Sequence, residues 1–160
     1  MAEQGNGNTT EAVKSLSVLA QYVKDLSFEN PNAPRSLGPQ QGGPQLNLTV
    51  NVNGRPITSN DFEVELHIEG GAGEGAGTLF KFEIVYAAIL RVNGFPPNEL
   101  HPVVMIEGPR LMFPFARQIV ADAVRNGGFP PLMIDPIDFV ALYQRRAADM
   151  AAAEAAKAPN

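Results

Sequence analysis

Strict two-residue alternation dominates the first half of the chain. Leu46, Leu48, Val50 and Val52 oppose Gln45, Asn47, Thr49, Asn51 and Asn53. Phe62, Val64, Leu66 and Ile68 oppose Asp61, Glu63, Glu65, His67 and Glu69. A period of two marks a half-buried strand, and one wet and one dry face is the usual condition of an antiparallel sheet. An earlier segment alternates less cleanly. Leu16, Val18, Ala20, Tyr22, Leu26 and Phe28 share one parity, interrupted by Lys24, against Ser17, Gln21, Asp25, Ser27 and Glu29 together with Leu19 and Val23. It ends at NPNAP (Asn30–Pro34), a turn signal, and Arg35–Pro44 is a Gly/Pro/Gln loop. Asn53-Gly54 is a hairpin-type dipeptide. The glycine run Gly70–Gly77 reads as a hairpin loop rather than a phosphate loop. No Lys-Ser/Thr pair closes it, and Ala76 stands where the dinucleotide fingerprint needs its third glycine. The fourth strand, Thr78–Tyr86, carries Phe80, Phe82, Ile84 and Tyr86 on one side and a mixed Leu79, Lys81, Glu83 and Val85 on the other, and its apolar run continues to Val92. Such a strand is either central and buried on both faces, or it presents apolar surface outside the protomer.

The period then lengthens. At about 100° per residue, Met112, Phe113, Ala116, Ile119, Val120, Ala123 and Val124 fall on one side of Pro109–Asn126, and Arg117, Gln118, Asp122, Arg125 and Asn126 on the other. Gly127 and Gly128 supply the stop. Pro114 removes a hydrogen bond one turn in, so the regular helix is expected to begin near it. Asn93–Glu107, with Gly94, Pro96, Pro97 and Pro102, reads as irregular. Gly127–Pro136 is an extended linker that carries Phe129, Leu132, Met133 and Ile134. A second helix begins at Ile137 or Asp138, with Asp135 as N-cap and Pro136 as first helical residue, and presents Phe139, Leu142, Tyr143 and Met150. Strands followed by helices predict an α+β fold: a four-stranded antiparallel sheet covered by one long helix plus a C-terminal helix. The boundaries are a disordered segment over 1–14, one domain over 15–146, and an Ala-rich tail over 147–160 that frays because alanine favours helix but buries little.

Composition narrows the function. The 160 residues carry a net charge of −5 and no cysteine. The charge disfavours nucleic acid as a partner, and the missing cysteines remove disulfides and Cys-based zinc sites. The polar N-terminus is not a secretory signal, and no run reaches the ~20 apolar residues of a membrane helix. A cytoplasmic protein without direct membrane insertion is expected. Candidate chemistry is sparse. Glu65, His67 and Glu69 share a strand face, which reads first as solvated surface and second as a metal site. No Gly-x-Ser-x-Gly elbow is present. No constellation calls for catalysis or a cofactor. Instead the Phe80/Phe82/Ile84/Tyr86 face, the GGFPPLMI linker and the half-apolar second helix exceed what one long helix covers. This points to oligomerisation, apolar ligand binding, or both.

At these segments the chain resembles the SecB family of bacterial protein-export chaperones. The resemblance rests on YVKDLSFENPNAP (Tyr22–Pro34), FEIVYAAI (Phe82–Ile89) and LMFPFARQIVADAVRNGGFPPLMIDPIDFVALY (Leu111–Tyr143), in that order. It implies a homotetramer, a dimer of dimers with the long helices between the sheets. The implied protein has no catalytic site or cofactor; it holds unfolded preproteins and passes them to the SecA ATPase. Carried over by motif, Asp25 and Glu29 of DLSFE, with Lys81 and Glu83, form the SecA contact. Phe80, Phe82, Ile84 and Tyr86, with Leu37, Phe139 and Leu142, line the client groove. The polar side of the long helix, Gln118, Asp122 and Arg125, becomes the contact between dimers. The chain departs from the family at Lys81, where a leucine is usual, and in lacking a loop tryptophan, Leu37 being the nearest large apolar residue. An enzyme using Glu65, His67 and Glu69 with a metal, and a specialised relative of the toxin–antitoxin type with a dedicated client, are the rival readings.

Overall fold

The computed structural model describes residues 10–158, so residues 1–9 and 159–160 of the two predicted terminal segments lie outside the described residues. The elements are β1 (Ser15–Glu29), β2 (Leu46–Pro56), β3 (Asp61–Ala72), β4 (Phe80–Asn93), α1 (Pro97–Asn126) and α2 (Phe139–Lys157). The strands form one antiparallel sheet in the order β1-β4-β3-β2. The fourth strand is therefore central. It is also buried on both faces: Phe82, Ile84, Tyr86, Ala88 and Leu90 lie toward α1, while Val85 and Ala87 are covered on the opposite face. The glycine run forms the β3–β4 hairpin, with Gly73 and Gly75 at positive φ, the backbone region that glycine enters without steric cost.

Three local expectations are corrected. The first is the long helix, which starts at Pro97 rather than at Pro109, and runs regularly through Pro102, Pro109 and Pro114 instead of becoming regular only near Pro114. Each proline removes a helical donor. The loss is outweighed by burial, because Val104, Met105, Gly108, Pro109, Met112, Phe113, Ala116, Val120 and Val124 all press on the sheet. The helix crosses the sheet obliquely. Met105 lies against Gly54 of β2, Gly108 sits on Leu90 and Val64, and Gly127 at its end meets the Phe28 ring of β1. At thirty residues it covers far more apolar surface than the predicted helix could. The second correction is Asn53-Gly54, which is not the turn. Gly54 stays in β2, paired with Val64, and the chain reverses at 57–60, where Thr58 Oγ1 accepts from the Asn60 and Asp61 amides. The third is the cap of α2. Asp138, not Asp135, receives the Ala141 amide at 3.0 Å, and the alanine-rich segment stays helical to Lys157 although its side chains are exposed.

The imperfect alternation of β1 has a structural cause. Its register against β4 shifts between Val18 and Ala20 and again between Val23 and Asp25. Each extra residue is a β-bulge, which inverts the faces beyond it. Leu16 and Val18 face α1. Between the bulges Gln21 and Val23 take that face instead, and the Tyr86 hydroxyl donates to Gln21 Oε1 at 3.1 Å. Beyond the second bulge Leu26 and Phe28 return to it.

A Cβ on Gly108 would lie 2.7 Å from Leu90 Cδ1 and 3.4 Å from Val64 Cγ2, and both neighbours are fully buried. Alanine normally stabilises a helix interior relative to glycine. Here Gly108→Ala is expected to destabilise by about 1–3 kcal/mol, read as a lower urea midpoint with unchanged slope.

Candidate functional site

The face of the sheet opposite α1 gathers the acidic residues. Lys81, Glu83, Val85 and Ala87 of β4 point there, and their β1 partners are Glu29, Ser27, Asp25 and Tyr22 respectively. Across β3, Glu83 pairs with Glu69 and Val85 with His67. Asp25, Glu29, Lys81 and Glu83 are thus brought onto one open face, all of them exposed. Lys81 stands opposite Glu29, and the two like charges Glu69 and Glu83 stand opposite one another, an arrangement unfavourable in isolation and suited to a basic partner. Ser27, Glu29, Thr49, Glu69, Lys81 and Glu83 border a shallow depression of about 330 Å³ here.

Further along the same face sits a polar cluster that alternation alone did not reveal. The Tyr22 hydroxyl donates to Glu63 Oε2, Arg55 Nε donates to Glu63 Oε1 at 2.9 Å, and Lys24 Nζ reaches Glu63 at 3.2 Å and also Glu65. His67 Nε2 lies 3.1 Å from Glu65. Tyr22 and Glu65 are both register partners of Ala87, whose small side chain leaves room for contacts across the central strand. Glu63 is only 6% exposed. The Tyr22 hydrogen bond, then those from Arg55 and Lys24, hold its carboxyl down at about 2, against the desolvation that opposes them. The hydrogen bond to Glu63 in turn raises the Tyr22 hydroxyl, and those to Glu65 and Glu63 raise the Lys24 ammonium. Among the described residues no group of three His, Asp or Glu is arranged to hold a metal ion.

The residues carried over for the client groove fall into three settings. Phe80, Phe82, Ile84 and Tyr86 are buried in the protomer core, so they are not the uncovered apolar face that the sequence pattern implies; the longer α1 and the linker cover them. Phe80 lies between Phe28 and Phe129, with ring centroids 5.9 and 5.1 Å apart. Leu37 is 50% exposed and rests over Gly128 of the linker. Phe139 and Leu142 line a trough of about 520 Å³ between α2 and β2, together with Val50, Val52, Met105 and Arg146. The second helix is held there by Phe139 against Phe113, by the Tyr143 hydroxyl 2.8 Å from His101 Nδ1, and by Arg146, which donates to the Val52 carbonyl and to Asn53 Oδ1.

On the outer side of α1, Gln118, Asp122 and Arg125 form one hydrogen-bonded set. Asp122 Oδ1 accepts from Gln118 Nε2 and Arg125 Nη2, each at 3.1 Å. Sequence reasoning missed Leu111 and Phe115, which continue the same stripe toward the N-terminus and are 44% and 52% exposed. The positions 111, 115, 118, 122 and 125 advance by four and three residues alternately, the spacing of a helix face that meets another helix. That spacing was visible in the sequence, but Phe115 was not assigned to either side.

One sheet face is covered by its own helix, the other is open and acidic, and a trough of mixed apolar and polar lining lies beside α2, so the protomer offers two separate surfaces suited to binding. Comparison with known proteins identifies the family. Residues 9–150 match the family model described as preprotein translocase subunit SecB. The protein-export protein SecB of Azorhizobium caulinodans is 61% identical over 146 residues, covering 91% of each chain. That of Beijerinckia indica is 59% identical over 150 residues, covering 92% of this chain and 94% of the relative. Among solved structures, the SecB-like chaperone of Mycobacterium tuberculosis, in complex with a ChAD peptide from the HigA1 antitoxin, superposes with a TM-score of 0.58 at 18% identity. The match covers 76% of this chain and 90% of that one, a likeness of fold. The chain belongs to the SecB family of protein-export chaperones.

Glu63 supplies a pH test of the polar cluster. Its carboxyl titrates lower in the folded state than its ordinary value of 4.5. Its contribution is therefore present in full above that value and lost as the pH falls toward about 2. Glu63→Gln is expected to lower stability at pH 7, and the gap between the two proteins should narrow below pH ~4.5 in parallel urea titrations.

Proposed function

We propose that the protein is an ATP-independent holdase. It binds unfolded secretory preproteins in the cytoplasm, keeps them competent for translocation and delivers them to the SecA ATPase, without a catalytic step of its own. The observation that carries this reading is the separation of surfaces on a SecB-family chain. The acidic set Asp25, Glu29 and Glu83 lies on the open face of the sheet, while a trough that combines Val50, Val52, Met105 and Leu142 with Asn51, Arg145 and Asp149 lies beside α2. Client and ATPase then need not compete for one site. An extended client engages several weak apolar sites at once, and linkage through effective concentration makes their sum useful without a demanding sequence. Leu37 and Leu142 serve as client contacts, and the buried Phe139 seats α2 beside them through Phe113. Phe80 becomes available when Phe129 moves off it, and Phe82, Ile84 and Tyr86 shape the floor from beneath. No helix among the described residues is long and apolar enough to cross a membrane, in keeping with action on the cytoplasmic side.

The same reading assembles the protein as a dimer of dimers through the outer stripe of α1. Phe115 and Leu111 would supply apolar area there, and Gln118, Asp122 and Arg125 a polar, salt-sensitive register. General export is preferred over a dedicated antitoxin-linked client because the export proteins are 61% and 59% identical to this chain, whereas the antitoxin-bound relative shares 18%.

Two experiments test these assignments. The double variant Asp25→Ala with Glu29→Ala should weaken SecA binding roughly tenfold or more while leaving binding of an unfolded precursor intact. Leu142→Asp should do the reverse. Titrations of both ligands against both variants decide, and an acidic pair that lost client binding but kept SecA binding would overturn the assignment. For assembly, Phe115→Asp and Arg125→Glu should each shift the light-scattering mass from tetramer to dimer while the far-UV spectrum stays native. An unchanged mass in both removes the interface.

A further inference from the structure

Tyr22 and Asp25 are three residues apart, and regular alternation forbids them one face. Both nevertheless lie on the open side of the sheet. Tyr22 is paired with Ala87 and bonded to Glu63; Asp25 is paired with Val85. The bulge between Val23 and Asp25 makes this geometry, with Lys24 as the extra residue. The position of a bulge in an edge strand is specified by whatever holds the pairs on either side of it in register. The downstream flank is fixed by Phe28, whose ring packs 5.9 Å from Phe80 on the side facing α1. On the α1 side the upstream flank is held by Gln21, which accepts from the Tyr86 hydroxyl at 3.1 Å. On the open side it is held by the Tyr22 hydroxyl, and the bulge residue itself by the Lys24 ammonium, both closing on Glu63, which Arg55 holds from β2 at 2.9 Å. Glu63 is nearly inaccessible to water, so the Tyr22 bond is not easily exchanged for solvent.

We propose that Tyr22 is a positioning residue: its hydrogen bond to Glu63 traps the β1 bulge at Lys24 and thereby keeps Asp25 on the open face, aimed at the acidic-surface partner. The inference rests on the assignment of Asp25 and Glu29 as the SecA contact. Without the open-side anchor, the second bulge can migrate toward Phe28; Asp25 would then take the register of Ala20–Val23, fall opposite Ile84 and turn to the α1 side. Asp25, adjacent to the bulge, is displaced most. Glu29, beyond the Phe28 anchor, is displaced least. Tyr22 therefore acts through Asp25 and not through Glu29.

A double-mutant cycle on the full-length protein tests this. Tyr22→Phe keeps the ring and removes only the hydroxyl. It is expected to weaken SecA binding by about tenfold, the loss of one hydrogen bond to a charged group. Combined with Asp25→Ala it should add little further loss; combined with Glu29→Ala the two losses should multiply. Amide hydrogen exchange should quicken at Val23 to Ser27 and stay unchanged at Phe28, with oligomer mass and precursor binding unaltered. Multiplicative losses with Asp25→Ala, or exchange quickened evenly along β1, would mean that Tyr22 merely stabilises the strand and would overturn the proposal. If Asp25→Ala and Glu29→Ala themselves left SecA affinity unchanged, the contact assignment would fall separately. The exchange pattern would then decide the bulge lock alone: unchanged exchange at Val23 to Ser27 removes it, and local quickening supports it.

Discussion

Pressing the Phe80–Val92 face of β4 against α1 fixes what every other surface of the protomer can be. Ile84, Leu90, Met112, Val120 and Val124 are fully buried in the core this contact closes, together with Val64, Leu66 and Ile68 of β3. Fully burying one such side chain contributes about 1.5–3 kcal/mol, while a proline in a helix interior costs about 3 kcal/mol or more. Pro102, Pro109 and Pro114 are therefore tolerated, and Pro109 is itself among the fully buried residues. Because α1 spends its whole inner face on the sheet, its outer stripe of Leu111, Phe115, Gln118, Asp122 and Arg125 is left to meet something else.

The opposite face of the sheet has no helix and is organised by charge. Exposed ion pairs such as Arg125–Asp122 are worth little individually. The Glu63 cluster differs because the carboxylate is shielded, so removing one partner leaves a charge that water cannot easily reach. The rigid part of this face lies around Ala87, where side chains from β1, β2 and β3 converge. The part bearing Asp25, Glu29, Glu83 and Glu69 carries unneutralised charge toward solvent. One face thus contains both an electrostatic clamp and an electrostatic lure, separated by a few residues along the same strands.

How far the sequence disclosed this depends on the range of the interaction. The alternation of β2 and β3 was legible because one side of each strand meets the core and the other meets water, and the open-face acids followed from that parity. The start of α1 was not, because local rules count Pro97 and Pro102 as breakers and cannot see the sheet beneath. The faces of β1 were half legible. Lys24 interrupts the apolar parity, but only the register against β4 shows that it is an inserted residue and that Tyr22 and Gln21 have exchanged sides. Asp135 and Asp138 are both credible caps before an apolar run, and the choice between them is made by Phe139 inserting beside Phe113. Phe80, Phe82, Ile84 and Tyr86 were legible as one apolar face, yet their burial is a property of the neighbouring helix and linker, which no pattern within the strand encodes.

The Arg146 contact bears on a hazard specific to a protein that handles extended chains. β2 is a free edge of eleven residues, and it carries the exposed Leu46 and Leu48. Such an edge can template pairing with another strand, whether a client's or that of a sister molecule. The guanidinium of Arg146 occupies one backbone acceptor near the middle of that strand, the Val52 carbonyl, and is steadied there by the Asn53 side-chain oxygen. A client in the trough proposed above would meet side chains there and would be denied a continuous backbone ladder along β2. Its grip would stay weak enough to let go, and the sheet would not grow.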